Sequence, residues 1–184
     1  MSKDIYCITG YPASGKSTAT SYVQESDIPV VVMGDIVREL AVTEGGISLE
    51  DGEAIGNWAT QYREAHGNNI FAHKTVDRVE GLDNSTIVID GLRTSQELDV
   101  FTDAFEDVTV IFIDAPQEER FERVKQRSRD EQEAEFTFEE FKARDERETK
   151  WGLGELKEIS SVCIDNTQDI DYLYSRLDEV LSLT

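Results

Sequence analysis

The chain has 184 residues and is 39% hydrophobic, enough to bury one sizeable core and short for two, so a single domain over 1–184 is expected. Its 39 acidic residues against 18 basic ones give a net charge of −21, which repels the phosphates of DNA or RNA and speaks against a nucleic-acid partner. Only seven of the basic residues are lysines, and abundant acid with scarce lysine is the pattern of adaptation to molar salt, where charges are screened over roughly 3 Å.

In chain order, short apolar runs alternate with helical patterns, as parallel strands joined by crossover helices require. The first strand is expected over 5–8. Gly10-Tyr11-Pro12-Ala13-Ser14-Gly15-Lys16-Ser17 follows it and opens a helix over 16–25. This is the pattern GxxxxGK[ST], which ordinary residue frequencies produce in roughly one chain of this length in a hundred. Its strand-to-helix setting is the one the motif needs. Glycines let consecutive N–H groups turn inward on phosphate oxygens, and the positive end of the following helix reinforces them. Lys16 then reaches the β and γ phosphates, and the Ser17 hydroxyl can ligate Mg²⁺. Residues 10–18, Thr18 included, are therefore the expected nucleotide site, with ATP and Mg²⁺ as its occupants.

A second strand over 30–33 leads into Gly34-Asp35-Ile36-Val37-Arg38 and a helix over 35–43. Asp35 could simply cap that helix. With Arg38 three residues on, the two could instead address a second ligand beyond the strand end. The stretch 49–82 is mostly helical, broken near 67–69, so 35–82 reads as a helical subdomain on the acceptor side. His66 and His73, seven apart, read as residues of one helix surface.

The third strand, 86–90, ends in Asp90-Gly91-Leu92-Arg93-Thr94. Asp90 stands where an acid would hold the Mg²⁺ shell, and Arg93 can fork onto a phosphate; a plain Asp-Gly turn is the other reading. A helix over 95–104 and a strand over 108–114 come next. The helix over 116–129 places Arg120, Arg123 and Arg127 at i, i+3 and i+7 on one face, with Arg129 behind them. Six of the eleven residues at 130–140 are acidic, and a helix over 138–150 carries Arg144 and Arg147. A mobile helical hairpin at about 127–147 is expected, a lid whose arginines stabilise a moving phosphoryl group, although ion pairing with neighbouring glutamates would explain any one of them. Trp151-Gly152 could stack a base, but ending the helix is the simpler role. The last strand, 162–165, and a helix over 170–183 complete the chain. Cys7 and Cys163 sit in strand-like runs and are expected to be reduced, packed core thiols.

Several of these segments carry a resemblance. Gly34-Asp35-Ile36-Val37-Arg38 resembles the acceptor-nucleotide motif of adenylate kinases, and Asp90-Gly91-Leu92-Arg93-Thr94 resembles their Asp-Gly-Phe-Pro-Arg motif with one residue missing. The first forty residues, Asp35 included, and Ile164-Asp165-Asn166-Thr167 resemble dephospho-CoA kinases. The third-strand Asp-x-Pro-Leu-Leu-Phe-Glu motif of those enzymes is absent, and so is the zinc-type or β-stranded lid of many adenylate kinases. Over nearly its whole length the chain resembles an archaeal family of adenylate-kinase-related, dephospho-CoA-kinase-like proteins.

The resemblance implies an α/β three-layer P-loop fold with a five-stranded parallel sheet. It also implies an ATP-dependent kinase acting on a small nucleotide-like acceptor, AMP or another nucleoside monophosphate, as a monomer or homodimer; hydroxyl phosphorylation of the dephospho-CoA kinase type and a nucleotide-dependent regulatory ATPase are the alternatives. Lys16, Asp35, Arg93, Arg127 and Arg144 would be catalytic. Arg120 would join the nucleotide site, and Gly34, Asp35, Arg38, Asp90, Gly91 and Arg93 would hold the acceptor. Ser17 and Asp90 would hold the metal. No run approaches the ~20 apolar residues of a membrane helix, and the amino terminus has no leader pattern, so a cytoplasmic protein without a membrane partner is expected.

Overall fold

The computed structural model describes residues 2–127 and 137–183. Five strands form one parallel sheet: β1 (Asp4–Gly10), β2 (Val30–Val32), β3 (Thr86–Asp90), β4 (Asp107–Asp114) and β5 (Val162–Asp165), in the order β2-β3-β1-β4-β5. Strand alternation splits the core into two apolar layers. Ile5, Cys7, Ile87, Ile89, Val110 and Phe112 point to one face. Ile8, Val88, Ile111 and Ile113 point to the other. Near-continuous Val and Ile runs are what a sheet covered on both sides demands.

The second face is covered by α1 (Lys16–Gln24) and α9 (Ile170–Leu181), through Ala19, Val23, Leu173, Leu177 and Leu181. The first face is covered by α2 (Met33–Thr43), α4 (Ile70–Glu80), α5 (Ser95–Ala104) and α8 (Gly154–Ile159). Between α2 and α4 lies α3 (Gly52–His66), capped by Asp51, whose side chain accepts from the Ala54 N–H. After β4 come α6 (Gln117–Arg127) and α7 (Phe138–Glu148), then a π-helical turn, Thr149–Leu153, that runs into α8. Thr137 and Glu140 form a reciprocal capping box at the start of α7. Among the described residues no helix is long and apolar enough to cross a membrane.

Three local expectations change. Strand β2 ends at Val32, so Met33 opens α2 and Asp35 is the helix's third residue rather than its cap. The break at 67–69 leaves His66 closing α3 and His73 on α4, two helices rather than one surface. Gly152, at φ 147°, breaks the helical path just after Trp151, as the sequence suggested, and α8 begins at Gly154. Cys7 is fully buried, which pushes its thiol up to about 12, but Cys163 is exposed. Cys163 lies on the edge strand β5, whose Ile164 turns into the core while Cys163 stands on the opposite face, beside Lys157 and Asp114.

Candidate active site

The carboxyl ends of β1, β3 and β4 meet at the middle of the sheet, where open parallel sheets bind ligands. Strand β1 runs directly into the glycine-rich loop. Loop closure bends the backbone hard: the Ser14 N–H donates to Tyr11 O at 3.1 Å, and Ala13 is held in the left-handed region at φ 62°. Such strain in a non-glycine residue persists only where the surroundings enforce it. Gly15, at φ 108°, packs so closely on the Asn166 amide that a Cβ would collide with it.

Carbonyls of this loop that face away from its interior are taken up by three side chains. Arg120 donates from Nη1 to Pro12 O at 3.2 Å and from Nε to Ala115 O at 2.9 Å. Arg123 donates to Ser14 O at 3.0 Å and to Asn166 O at 2.5 Å. The Asn166 amide itself donates to Ser14 O at 2.7 Å. Arg120 is also the centre of a buried pair: both its terminal nitrogens reach the Asp145 carboxylate, Nη2 to Oδ2 at 2.7 Å, and Gln117 donates to the same oxygen at 2.8 Å. Its guanidinium lies 4.8 Å from the Tyr11 ring centre and 5.6 Å from that of Phe141. Arg120, expected at the nucleotide, is thus spent on tying α6 and α7 to the loop from behind. Its burial in the sequence had no signal beyond i, i+3 spacing, and Asp145, its partner, looked like one more acid in an acidic helix.

One buried polar atom in the loop and two on the neighbouring α1 and β3 are left without a partner among the described residues. Ser14 Oγ, Thr20 Oγ1 and Asp90 Oδ1 are buried without a hydrogen-bond partner among the described residues. Burial pushes the Asp90 carboxyl above its usual range, opposed chiefly by the Lys16 ammonium and then by Thr20 and Arg93, while the Asp35 charge adds to the rise. An orphaned carboxylate oxygen facing the loop, with the exposed Ser17 hydroxyl at the start of α1, is an oxygen donor set that fits Mg²⁺.

The loop after β3 is anchored from several directions. Thr9 Oγ1 donates to Leu92 O at 2.6 Å in the buried interior, and the Arg93 N–H donates to Glu97 Oε2 at 3.0 Å. Glu97 is itself buried, which raises its pKa; the Arg93 amide and the charge of Arg63 pull it back. Arg63, on α3, lies 4.7 Å from the centre of the Phe71 ring and feels both Glu97 and Arg93. Nothing in the sequence pattern singled it out.

A cavity of about 240 Å³ opens between these elements, lined by Lys16 and Pro12 of the loop, Leu92 and Arg93 after β3, and Arg144 and Trp151 from α7 and the π-helical turn. It brings together Lys16, Arg93 and Arg144, three of the expected catalytic residues. Arg144 shares its Nε with Glu148 at 3.2 Å. Asp35 and Arg38 pair with each other instead and line a separate shallow groove with Val42 and Leu49. Gly34 lies beneath the Arg38 guanidinium. The side chain of Arg127, together with Arg129 and the acidic run 130–135, lies outside the described residues.

Residues 7–151 match the AAA domain family, which makes this a P-loop nucleotide-binding domain. The chain is 35% identical over 179 residues to a UPF0200 protein of Methanosarcina acetivorans, covering 97% of this chain and 94% of that one. It is 38% identical over 180 residues to a UPF0200/UPF0201 protein of Archaeoglobus fulgidus, but spans only 54% of that protein's length. The chain belongs to the UPF0200 family. Its fold is shared by TT1252 from Thermus thermophilus, with a TM-score of 0.71 at 20% identity over the full length of both chains. Shikimate kinase from Bacteroides thetaiotaomicron also shares it, with a TM-score of 0.63 at 16% identity, covering 98% of this chain and 99% of that one. The fold is therefore that of the P-loop kinases.

Proposed function

We propose that the chain is an ATP-dependent phosphotransferase whose acceptor is AMP or another nucleoside monophosphate. The convergence of Lys16, Arg93 and Arg144 on one cavity beside Asp90 carries this reading. The loop amides and Lys16 hold the β and γ phosphates of ATP, while Ser17 and Asp90 would hold Mg²⁺, which when bound neutralises phosphate charge. Arg93 orients the acceptor phosphate, and Arg144 stabilises the charge spread over the transferring group once it leaves Glu148. An acceptor phosphate oxygen is already ionised, so it forms the new P–O bond as the bond to the β-bridging oxygen breaks, and no general base is required. From its position in the sequence alone, Arg127 is assigned to the transferring phosphoryl group as well. Arg38 serves the acceptor when it swings from Asp35.

The experiment is a coupled assay of ADP release with AMP, CMP and dephospho-CoA offered separately. AMP or CMP should raise turnover at least tenfold over ATP alone. A flat response to all three sinks the reading and favours a regulatory ATPase.

The Asp35 charge, which is felt at Asp90, supports a second reading, in which Asp35 accepts the proton of an acceptor hydroxyl. Asp35→Asn separates the two. Turnover largely kept supports the phosphate acceptor; a loss of about 10²–10⁴ supports the hydroxyl kinase.

A further inference from the structure

The π-helical turn at Thr149–Leu153 sits between α7 and α8 and is kinked at Gly152. Gly152 in it has φ 147°, and a Cβ added there would lie 2.6 Å from Arg93 O and 3.0 Å from Thr94 Cα. No other residue type allows the turn to sit so close to the loop after β3. Glu97 grips the Arg93 amide from the α5 side. The main chain of Arg93 is thus clamped between α5 and the π-helical turn.

The neighbour of that contact, Trp151, is 67% exposed although it lines the cavity. Aromatic side chains of this size usually bury most of their surface, so an indole left open toward a cavity has a face for a ligand to cover. The cavity is divided in character. Lys16, Arg93 and Arg144, the last paired with Glu148, supply positive charge, whereas Pro12, Leu92, Leu153 and Trp151 supply an apolar wall. An acceptor that satisfies both has an anionic group joined to a flat ring.

We propose that Trp151 is the specificity-determining residue of the acceptor pocket, its indole stacking on the nucleobase of a nucleoside monophosphate whose phosphate lies at Arg93 and Arg144. Gly152 is the positioning residue that fixes the distance between the stacking plane and Arg93. Stacking tolerates any base, so the pocket selects for a ring beside the phosphate rather than for one nucleobase. The inference rests on the phosphotransferase reading above.

The chain has two tryptophans, so a Trp58→Phe background leaves Trp151 as the only indole reporter. AMP and ribose 5-phosphate are titrated into this protein and into its Trp151→Ala, Trp151→Leu and Trp151→Phe versions, with heat and fluorescence both read. AMP should quench Trp151. Alanine and leucine should each weaken AMP binding roughly 5- to 150-fold, phenylalanine should restore most of it, and ribose 5-phosphate should bind all four alike. If leucine binds AMP as well as tryptophan does, or if ribose 5-phosphate loses as much as AMP, the stacking role is overturned while the phosphotransferase reading stands. If no nucleoside monophosphate gives heat with the native chain, both fall.

Discussion

Behind the phosphate loop, Arg120 and Asp145 are 4% and 6% exposed, doubly bonded to one another and surrounded by Tyr11, Phe141 and Gln117. On α2, Arg38 and Asp35 also form an ion pair, but at 49% and 65% exposure and with no second ion-pair partner among the described residues. The same two chemical groups therefore do different work. The buried pair fixes a geometry, because each charge would be stranded without the other. The exposed pair costs little to open, because water replaces each partner and surface pairs contribute about 0–1 kcal/mol. A phosphate loop must be preorganised before its ligand arrives, whereas an acceptor site must exchange protein partners for ligand.

The largest effect that can break this contrast is Asp145→Ala. Removing one partner of a buried pair costs about 3–5 kcal/mol, and at about 2–4 °C per kcal/mol for a chain of this size the melting temperature should fall by roughly 6–20 °C. Nucleotide binding should weaken with it, since Arg120 also holds Pro12 O. A variant that melts like the native chain would show that the pair does not hold the loop. The matching change on the other side, Arg38→Ala, should shift melting by about 4 °C at most while raising the KM for the acceptor. Thermal melts beside acceptor titrations check both halves. An Arg38→Ala protein that is strongly destabilised, or that keeps its acceptor KM, would erase the distinction.

The difference between the two regions also explains how much could be read from sequence. The glycine-rich loop, the five strands and Asp90 were legible because each depends on local pattern: fixed spacing, β-branched runs, an acid at a strand end. Lys16, Arg93 and Arg144 could be singled out as cations at strand ends and on a helix, and the structure brings the three to one cavity. The Arg120–Asp145 pair was not legible, because it joins residues 25 apart in a segment crowded with both charges, and nothing local says which arginine finds which acid. Glu97 was missed, and Asn166 was singled out only within a resembling segment and not for its contact with the loop, because both act on backbone groups far from them in sequence or hidden by folding. Cys163 was misplaced because an apolar run does not reveal whether its strand lies at the edge or the centre of a sheet.

The smallest effect concerns Glu97, buried like Asp145 but bonded to the Arg93 amide rather than to an arginine side chain. Its folded pKa is raised above the usual 4.5 by desolvation, despite the Arg93 amide and Arg63. The folded chain therefore holds the proton at pH values where the unfolded chain has released it, so stability falls as pH rises from about 4.5 through the folded value and then levels off. Glu97→Gln cannot ionise, yet its amide oxygen can still accept the Arg93 N–H. Its melting temperature relative to the native chain should therefore climb across that window and stay higher at neutral pH. A difference that is flat with pH would mean that Arg63 compensates the buried carboxylate fully, making Glu97 a third paired site like Asp145 rather than a carboxylate held at a cost to keep Arg93 in place.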